Sequence, residues 1–450
     1  MSKHSTNAQC AALALLACLC ATVATAAPTA EPAVARVADA LVAEALESNL
    51  GLAANQAGVD QRRAALDAVR AEYLPQLDLQ LRYTEADGGR EISVPALGIE
   101  FSFLREREQD SVLRLTQPLY DARLSAERSG ARHGYEAARH GLEAFRARLA
   151  RDVRQAYYGW LAAREAIGVL EATATLAAEN ERVNESLHRN GKVTRDLLLR
   201  AEAERLEVEQ QLLRARATET LARRFLNLLC NAPLDRVPEA AAVSDADLPR
   251  LAAAIPARDG ARLESSAVGR RAELRQLDAG LAAAGESERA ARAAFKPQLA
   301  LAVDAGTQGE DWGYEDHDPY VLASVVVRFN LFNGGGDRAA VRGAQALSTE
   351  LAASRALAEQ EIRIEVQEAL TDLEVAEASL ATAGRRVEAA TAAYAIVAKK
   401  RDLGQVSPAE YLDAQRALTE ARLNGNVTRY EALAALAQVQ YAIGGVEQQP

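Results

Sequence analysis

The sequence predicts a mainly α-helical fold with a small β part, built twice over within one chain. Hydrophobic residues make up 49% of the 450 positions but aromatic residues only 5%, so alanine and leucine dominate the apolar content, and both favour helices. Proline is absent from 114 consecutive residues after Pro118 and from 88 after Pro319. Segments of that length exceed ordinary globular helices and indicate extended coiled helices.

The amino terminus, residues 1–26, has the pattern of a cleaved signal peptide. Apolar residues run from Ala11 to Ala27, a stretch shorter than a membrane-spanning helix needs, and small residues surround the expected cut. A retained membrane anchor and lipidation at Cys18 are the alternatives. Removal of the signal would leave Cys230 as the only cysteine, so no disulfide could form within one mature chain.

The chain contains two copies of one design. The segment FKPQLALAV repeats YLPQLDLQL, with Pro297 lying 222 residues after Pro75. Likewise DLGQVSPAEYLDAQ repeats RNGKVTRDLLLRAE, with Gly404 lying 213 residues after Gly191. We therefore divide the mature chain into a first structural repeat, a linker or equatorial region and a second structural repeat, at 27–230, 231–262 and 263–450.

Each repeat has two predicted strands, at about 75–85 and 111–118 in the first and about 297–305 and 320–330 in the second. Apolar and polar residues alternate in them. Their length, about 9 to 11 residues, lets a tilted strand cross a bilayer. Four strands cannot close a membrane barrel, and lipid does not tolerate open edges, so the chain should oligomerise; three copies would supply twelve strands. A small soluble sheet is the alternative.

The predicted helices are long enough to form a hollow helical barrel. The longest in the first repeat, Arg123–Arg189, would span about 100 Å and pack against two shorter helices placed end to end. The second repeat is expected to copy this arrangement. The predicted partners are Thr194–Leu229 and Glu264–Ala293 for the first long helix, and Ser407–Ile443 and Val37–Glu72 for the second, Asp337–Asp402.

Heptad spacing indicates that these helices pack closely. In the second repeat Val366, Leu373 and Leu380 recur every seven residues, and alanines such as Ala369 and Ala376 stand three places later. A row of large residues beside a row of alanines suits knobs-into-holes packing. A soluble coiled-coil rod would show the same rows.

Capping residues predict a tight turn between the long helix and the next one in each repeat. In SPAE, which begins at Ser407, the serine can cap the helix, proline suits the first helical position and glutamate completes a capping box. Thr194 begins the weaker equivalent in the first repeat. Gly404 and Gly191 permit the positive φ that ends the incoming helix.

These motifs, in this order and duplicated, resemble the TolC family of outer-membrane efflux and secretion channels. The resemblance covers about Val37 to Gly445 and rests on the repeated Pro-Gln-Leu strand starts, the junctions LTQPLYDA and FNLFNGGG, the tips GKVTRDLL and GQVSPAEYLDAQ, and AVGRRAELRQLDAGLAAA. It implies a long coiled-coil α-helical barrel plus a transmembrane β-barrel formed by a trimer. Such a protein lies in the cell outer membrane and extends into the periplasm.

The resemblance implies a role in passive export, as the outer-membrane channel component of a tripartite efflux pump or a type I secretion system. The implied partners are two further copies in a homotrimer, outer-membrane lipid, a periplasmic adaptor (membrane fusion) protein and an inner-membrane transporter. The residues that match the family's adaptor-docking turns are Gly191, Val193, Thr194, Gly404, Val406 and Ser407. An exported periplasmic coiled-coil scaffold without a pore is the alternative.

Glu410 and Asp413 match the acidic positions at the closed periplasmic entrance of that family. Their spacing of three puts both on one helical face, so a trimer would gather six carboxylates, a ring that attracts cations. The alternative is that one caps the helix and the other is solvated. Arg401 and Val406 stand where the best-known member has its latch residues, a tyrosine and an arginine. Pairing of Arg401 or Arg200 with Asp413 is therefore a separate hypothesis.

Composition and motifs also argue against other functions. A net charge of −11 and a pI near 5.3 disfavour a nucleic-acid partner. The five histidines are scattered without metal-ligand spacing, and FNGGGD lacks the lysine of a phosphate loop. We therefore predict no enzyme activity, no cofactor and no metal site.

Overall fold

The computed structural model describes residues 32–87, 91–94, 96, 98–102, 107–253, 255, 258–309 and 318–445. The predicted signal peptide, with Cys18, lies outside the described residues. Helices contain most of the described chain and strands a small part, which confirms the predicted fold class. Across the described ranges no helix combines the length and the apolar character needed to traverse a membrane.

The helices include two that are exceptionally long. In chain order they are α1 (Ala33–Ser48), α2 (Leu50–Ala71), α3 (Ala122–Arg189), α4 (Arg195–Leu229), α5 (Asp247–Ala252), α6 (Gly260–Arg270), α7 (Ala272–Ala293), α8 (Gly336–Asp402) and α9 (Pro408–Ala442). α3 and α8 have 68 and 67 residues, so each spans about 100 Å, as expected. α3 packs against α4 and α7, which confirms most of the composite partner predicted for the first long helix, but α6, which contains Glu264, lies along α8.

Two predicted helices are each interrupted nearer their start than their end. Val37–Glu72 was expected to be continuous, but Asn49 has an extended backbone, with ψ at 125°, and caps α2 by accepting from the Leu52 N–H at 2.9 Å. Glu264–Ala293 is similarly interrupted at Arg271, with ψ at 124°. Tertiary anchors hold both breaks, and helical periodicity does not reveal such anchors.

The anchor at Asn49 is the end of α4. The Asn49 side-chain amide donates to the Leu229 carbonyl at 2.8 Å, and the Ser48 hydroxyl donates to the Cys230 carbonyl at 2.6 Å. Two terminal carbonyls of one helix are thus satisfied by residues of a distant segment. Cys230 itself is buried, which raises the pKa of its thiol to about 11.

The anchor at Arg271 is a cluster of charged and aromatic groups. Its guanidinium donates to Glu273 at 3.0 Å, to Glu365 of α8 at 2.8 Å and to the hydroxyl of Tyr441 of α9 at 3.1 Å. The Tyr441 ring lies between the guanidiniums of Arg271 and Arg151, each 4.4 Å from its centroid. These contacts join four helices around one buried arginine.

Strands form one four-stranded sheet and one separate hairpin. They are β1 (Gln76–Glu85), β2 (Glu91–Val94), β3 (Ile99–Ser102), β4 (Arg107–Tyr120), β5 (Gln298–Gly309) and β6 (Asp318–Arg328). The large sheet is antiparallel throughout in the order β1-β4-β5-β6, so the two repeats meet at the β4–β5 pair. All four predicted strands are present, although β4 begins four residues earlier than expected. The β2–β3 hairpin lies where the sequence analysis expected no strand.

One pairing of helices was predicted incorrectly. The segment of α1 and α2 was expected to complete the second repeat beside α8, but within one chain both helices lie along α3. Asp39 of α1 pairs with Arg154 of α3 at 2.7 Å, and apolar residues of α1 share a core with α3. Burial of that apolar face on the nearer long helix decides the arrangement.

The main hydrophobic core lies around the middle of α3, in a zone we call the belt, centred on Val153, Tyr157, Trp160, Leu226 and Leu433. All five side chains are buried. Burial of Val366 and Leu373 in the same cluster confirms the heptad interpretation for these positions, and Val153 and Trp160 of α3 show the same seven-residue spacing.

The linker region 231–262 takes part in the belt. Leu248 and Ile255 are buried in the same core. The Tyr157 hydroxyl donates to the Glu239 carbonyl at 3.1 Å and accepts from the Ala241 N–H at 3.2 Å. The linker is therefore a packed part of the molecule.

Candidate functional site at the sheet and the helical tips

One face of the four-stranded sheet is apolar and exposed. Register places Leu77, Leu115, Val303 and Ala323 in one row across the four strands, with Leu79 in the next row. Leu77 and Leu79 are 63% and 67% exposed. A continuous apolar surface of this kind marks contact with another protein or with lipid.

The opposite face of the sheet is polar. Arg114 of β4 makes two hydrogen bonds to Asp304 of β5, at 2.7 and 2.9 Å. Arg82 of β1 donates to Asp110 of β4 at 3.1 Å, and the Tyr320 hydroxyl of β6 lies 3.5 Å from the same carboxyl group. Apolar residues on one face and paired charges on the other are the alternation of a membrane barrel with a wet interior.

Aromatic residues gather at the end of this sheet that joins the helices. They stand just before β1 and β5 and at or just after the ends of β4 and β6, and they are Tyr73, Tyr120, Phe295, Phe329 and Phe332. Phe332 is 86% exposed and the other phenylalanines about half. Aromatic girdles mark the interfaces of membrane barrels. These aromatic residues were not predicted as a group, although each of them flanks a predicted strand.

The turn between α8 and α9, which we call tip 2, has the predicted capping geometry. Gly404 has φ at 70°. The Gly404 and Gln405 N–H groups donate to the Arg401 and Lys400 carbonyls, both at 2.9 Å, and close the helix end. Ser407 Oγ accepts from the Glu410 N–H at 3.2 Å, which confirms the serine cap.

The turn between α3 and α4, tip 1, has the same backbone with a weaker cap. Gly191 has φ at 68°, and its N–H donates to the His188 carbonyl at 2.9 Å. The Thr194 hydroxyl makes no capping bond to the helix; it bonds instead to the Asp196 carboxylate, which lowers the pKa of that group. The two tips therefore share one shape.

The six predicted docking residues lie together on these two turns. Gly191, Thr194, Gly404 and Ser407 are exposed, and Val193 and Val406 are half-buried. The exposed backbone at the glycines and the partly covered valines would offer a partner a similar surface on each tip.

The predicted entrance residues lie on the exposed face of α9. Glu410 and Asp413 are both exposed, and the same stripe of the helix continues to Glu420, seven residues beyond Asp413. Glu420 was not predicted, although its heptad spacing from Asp413 could have identified it. An arginine of α8, Arg386, lies 3.8 Å from the Glu420 carboxylate.

The two arginines of the latch hypothesis have other surroundings within one chain. The Arg401 guanidinium lies over the Tyr411 ring, 4.0 Å from its centroid, and 3.5 Å from the Asp402 carboxylate. The Tyr411 hydroxyl is 2.8 Å from that of Tyr394, so α8 and α9 are joined just above tip 2. Within the described part of one chain, neither Arg401 nor Arg200 forms an ion pair with Asp413.

A different ion pair connects the two hairpins near the tips. Glu204 of α4 is 5% exposed at its side chain and accepts from Arg416 of α9, with Nε at 2.7 Å. This pair joins the first repeat to the second one turn above Asp413. It was not predicted, because 212 residues separate its members.

The seam between α3 and α9 beside this pair is lined by polar side chains. The hydroxyls of Thr173 and Thr419 lie 3.0 Å apart. Asn180 and Asn184 of α3 are buried, as is Gln415 of α9, which is 1% exposed. In the described chain neither amide atom of Gln415 has a hydrogen-bond partner. We call Thr173, Asn180, Asn184, Gln415 and Thr419 the polar seam.

Comparison with known proteins identifies the family. The pattern of the outer membrane efflux protein family matches residues 41–232 and 263–445, which is most of the chain. The chain belongs to the outer membrane efflux protein family. It is accordingly an outer-membrane protein that extends into the periplasm and the outer-membrane channel of an efflux pump.

Individual relatives match over nearly the full length. The chain is 25% identical over 427 residues to the pyoverdine export outer membrane protein OpmQ of Pseudomonas putida, covering 90% of this chain and 85% of that protein. It is similar in structure to the CmeC outer membrane channel of Campylobacter jejuni, with TM-score 0.80 and 19% identity over 91% of this chain and 86% of that one. It is also similar in structure to VceC of Vibrio cholerae, with TM-score 0.76 and 18% identity over 91% of this chain and 96% of that one.

Among the described residues, no group of three or more histidine, cysteine, aspartate or glutamate side chains is arranged to hold a metal ion. The family is one of transport channels.

Proposed function

We propose that three copies of this chain form one passive duct through the outer membrane and periplasm, within a tripartite efflux pump or a type I secretion system. A periplasmic adaptor protein and an inner-membrane transporter complete the assembly. The signal peptide at 1–26 and the division at 27–230, 231–262 and 263–450 belong to the same proposal.

The observation that carries this proposal is the two-faced sheet. Its apolar face needs lipid, and its polar face needs water. Among the described strands, β1 and β6 each pair along one edge only, so both outer edges of the sheet are free within one chain. Pairing β6 of one copy with β1 of the next closes the sheet, and three copies give twelve strands.

Detergent extraction followed by sizing and planar-bilayer recording tests the duct. We expect a trimer in outer-membrane fractions that conducts ions after reconstitution. A monomer that stays soluble without detergent would contradict the proposal and favour a periplasmic scaffold.

At the entrance, we propose that Glu410 and Asp413 of three copies form a ring of carboxylates, with Glu420 above it. Their common stripe on α9 supports this arrangement. Because Arg401 and Arg200 lie away from Asp413 in one chain, their pairing with it would join neighbouring copies.

Replacement of Asp413 by alanine tests the ring and the latch together. We expect a higher single-channel conductance or increased antibiotic leak, because a constricting charge and its ion pair are lost. Glu368→Ala removes an exposed carboxylate from α8, far from the tips, and is the matched control. Closed-state conductance equal to that of the parent would count against the assignment.

In the same proposal, Gly191, Val193 and Thr194 of tip 1 and Gly404, Val406 and Ser407 of tip 2 bind the adaptor. Their clustering on two exposed turns of equal shape supports this role. A bulky residue at both glycines, Gly191→Trp with Gly404→Trp, should abolish adaptor binding and export but leave conductance unchanged.

A further inference from the structure

The lysines of this chain are concentrated at the tips. The sequence contains five lysines among its 52 basic residues, and they are Lys3, Lys192, Lys296, Lys399 and Lys400. Three of them lie on tip 1 or at the end of α8 beside tip 2. Arginine supplies nearly all the positive charge elsewhere, so the tips differ chemically from the rest of the surface.

Five cations at the tips are without an ion pair in the described chain. Some arginines of the helices bind carboxylates of the same chain; Arg205, for example, contacts both Glu181 and Glu209. Lys192 and Lys399, by contrast, have no carboxylate within 4 Å in the described chain, and neither do Arg189, Arg195 and Lys400. These five side chains are exposed.

The carboxylates near the tips offset only part of this charge, since residues 189–200 and 399–413 contain seven lysines and arginines but four carboxylates, those of Asp196, Asp402, Glu410 and Asp413. Asp196 accepts from the Thr194 hydroxyl and from backbone N–H groups at the start of α4. Asp402 lies beside Arg401. A protein with a net charge of −11 therefore has an excess of positive charge at one end.

Helix dipoles explain only part of this arrangement. Cations at the end of α8, Lys399 and Lys400, interact favourably with the carbonyl end of that helix. Lys192 lies in the turn, and Arg195 is the first residue of α4, where a dipole disfavours positive charge. Helix stabilisation accounts for Arg189, in the last turn of α3, but not for Lys192 and Arg195 of tip 1.

An apolar residue completes the surface. Leu403 is 71% exposed at tip 2, between the end of α8 and Gly404. Apolar contact surrounded by charged groups is the usual composition of a protein interface, in which charges speed association and fix register. Lysine suits such a role because its ammonium group is strongly hydrated and its flexible stem lets it pair reversibly.

We infer that the two tips form a basic docking surface for a protein partner whose contact loop carries carboxylates around a small apolar centre. This inference rests on the proposed function, since that partner would be the adaptor. It adds the charge of the partner and predicts docking that weakens with salt.

A binding assay on the full-length protein in detergent tests the inference. The probe is a synthetic two-helix hairpin with a fluorescent label and glutamates in its loop, and a second hairpin has glutamines at those positions. We expect the acidic hairpin to bind about tenfold more tightly than the glutamine hairpin. This difference in affinity should shrink as salt is raised and the Debye length falls below about 8 Å. Equal binding of both hairpins would overturn the inference.

Variants locate the binding surface. Lys192→Gln, Lys399→Gln and Lys400→Gln combined should weaken binding of the acidic hairpin about tenfold, because three exposed cations are lost. Lys296→Gln removes the remaining lysine of the described chain, at the start of β5, and should have no effect. A triple variant that binds like the parent would contradict the assignment. Sizing of each variant verifies that the substitutions leave assembly intact.

Two further measurements separate the other outcomes. Phosphatidylglycerol vesicles test whether an anionic membrane binds the tips instead. If the protein binds these vesicles as tightly as it binds the acidic hairpin, and the triple variant loses that binding, the inference of a protein partner is overturned. Bilayer conductance tests the duct separately. A conducting trimer without charge-dependent binding refutes only this inference, whereas a non-conducting monomer refutes the proposed function.

Discussion

Helices α3 and α9 meet in two regions, and the two contacts are built differently. In the belt, Tyr157 and Trp160 of α3 share an apolar core with Leu433 and Leu436 of α9. Nearer the tips the same two helices meet at the polar seam, where Gln415 has no amide partner in the described chain. One end of the contact is held by apolar burial and the other by a few polar groups, so the tips should separate at lower free energy than the belt.

The largest effect is expected from Trp160→Ala. The Trp160 side chain is fully buried and its Nε1 donates to Glu219 at 2.8 Å, so its loss should cost about 3–5 kcal/mol of unfolding free energy. Denaturant unfolding of the detergent-solubilised protein measures this, with Glu368→Ala as the surface control. A loss comparable to that of the control would show that the belt is not the stable part.

Arg271→Ala should follow in size. Glu273 and Glu365 would lose their common partner within a partly buried site, and we expect a loss of about 2–3 kcal/mol, less than for a fully buried pair because both carboxylates keep some exposure. Thermal unfolding measures it. Arg275→Ala removes an exposed arginine of the same helix, and an equal effect from it would contradict the role of the cluster.

The same cluster predicts a pH dependence. Burial alone would raise the pKa of Glu273, but the hydrogen bonds and charge of Arg271 outweigh burial and lower it. When the pKa of a carboxyl group is lower in the folded protein than in the unfolded chain, its ionised form stabilises the fold. That stabilisation is fully present above the pKa of the unfolded chain, and it is lost as the pH falls through the pKa of the folded protein. Glu273→Gln should therefore flatten the loss of stability below about pH 4.5. Parallel pH curves for variant and parent would refute this.

Arg416→Ala should have a smaller and more local effect. Glu204 would remain buried without its partner, but Arg416 is half exposed, so we expect about 1–2 kcal/mol. Hydrogen exchange should increase in α4 and α9 near the tips and stay unchanged in the belt. The double variant Glu204→Leu/Arg416→Leu should recover most of the loss. Exchange that increases equally in the belt would show that the two regions unfold together.

Gln415→Leu should give the smallest effect and the opposite sign. Replacing an unpaired buried amide by an apolar side chain should raise the free energy of local opening of the polar seam by about 1 kcal/mol. Hydrogen exchange in the seam should become correspondingly slower. Gln405→Leu, on an exposed turn, is the control. Faster exchange in Gln415→Leu would mean that the amide is paired in the assembled protein.

The parts that the sequence predicted well are those decided locally. Alternating apolar and polar residues predicted the four strands of the large sheet, and heptad spacing predicted Val366 and Leu373 as core residues. The capping serine Ser407 and Gly404 predicted the turn at tip 2. Each depends on residues a few positions apart, for which backbone geometry and side-chain period are sufficient.

The parts that it missed depend on distant residues. The break at Arg271 requires Glu365, 94 positions away, and the Thr173–Thr419 contact spans 246. Periodicity also places Gln415 on a buried face without showing that its amide lacks a partner. The docking and entrance residues were found at their predicted positions, but their roles remain predictions. The structure was needed to show that Lys192, Lys399 and Lys400 have no ion pair within the described chain.

The hydrogen bonds from Ser48 and Asn49 to the end of α4 have a mechanical consequence. They fix one end of α4 in the belt, and tip 1 lies at its other end, where a few polar contacts such as Glu204–Arg416 hold it. The 35 residues of α4 correspond to about 50 Å, and a tilt of about 10° at the fixed end would carry the tip about 9 Å. In the trimer that we propose, a tilt of this size would change the aperture between the tips by more than the width of a hydrated ion.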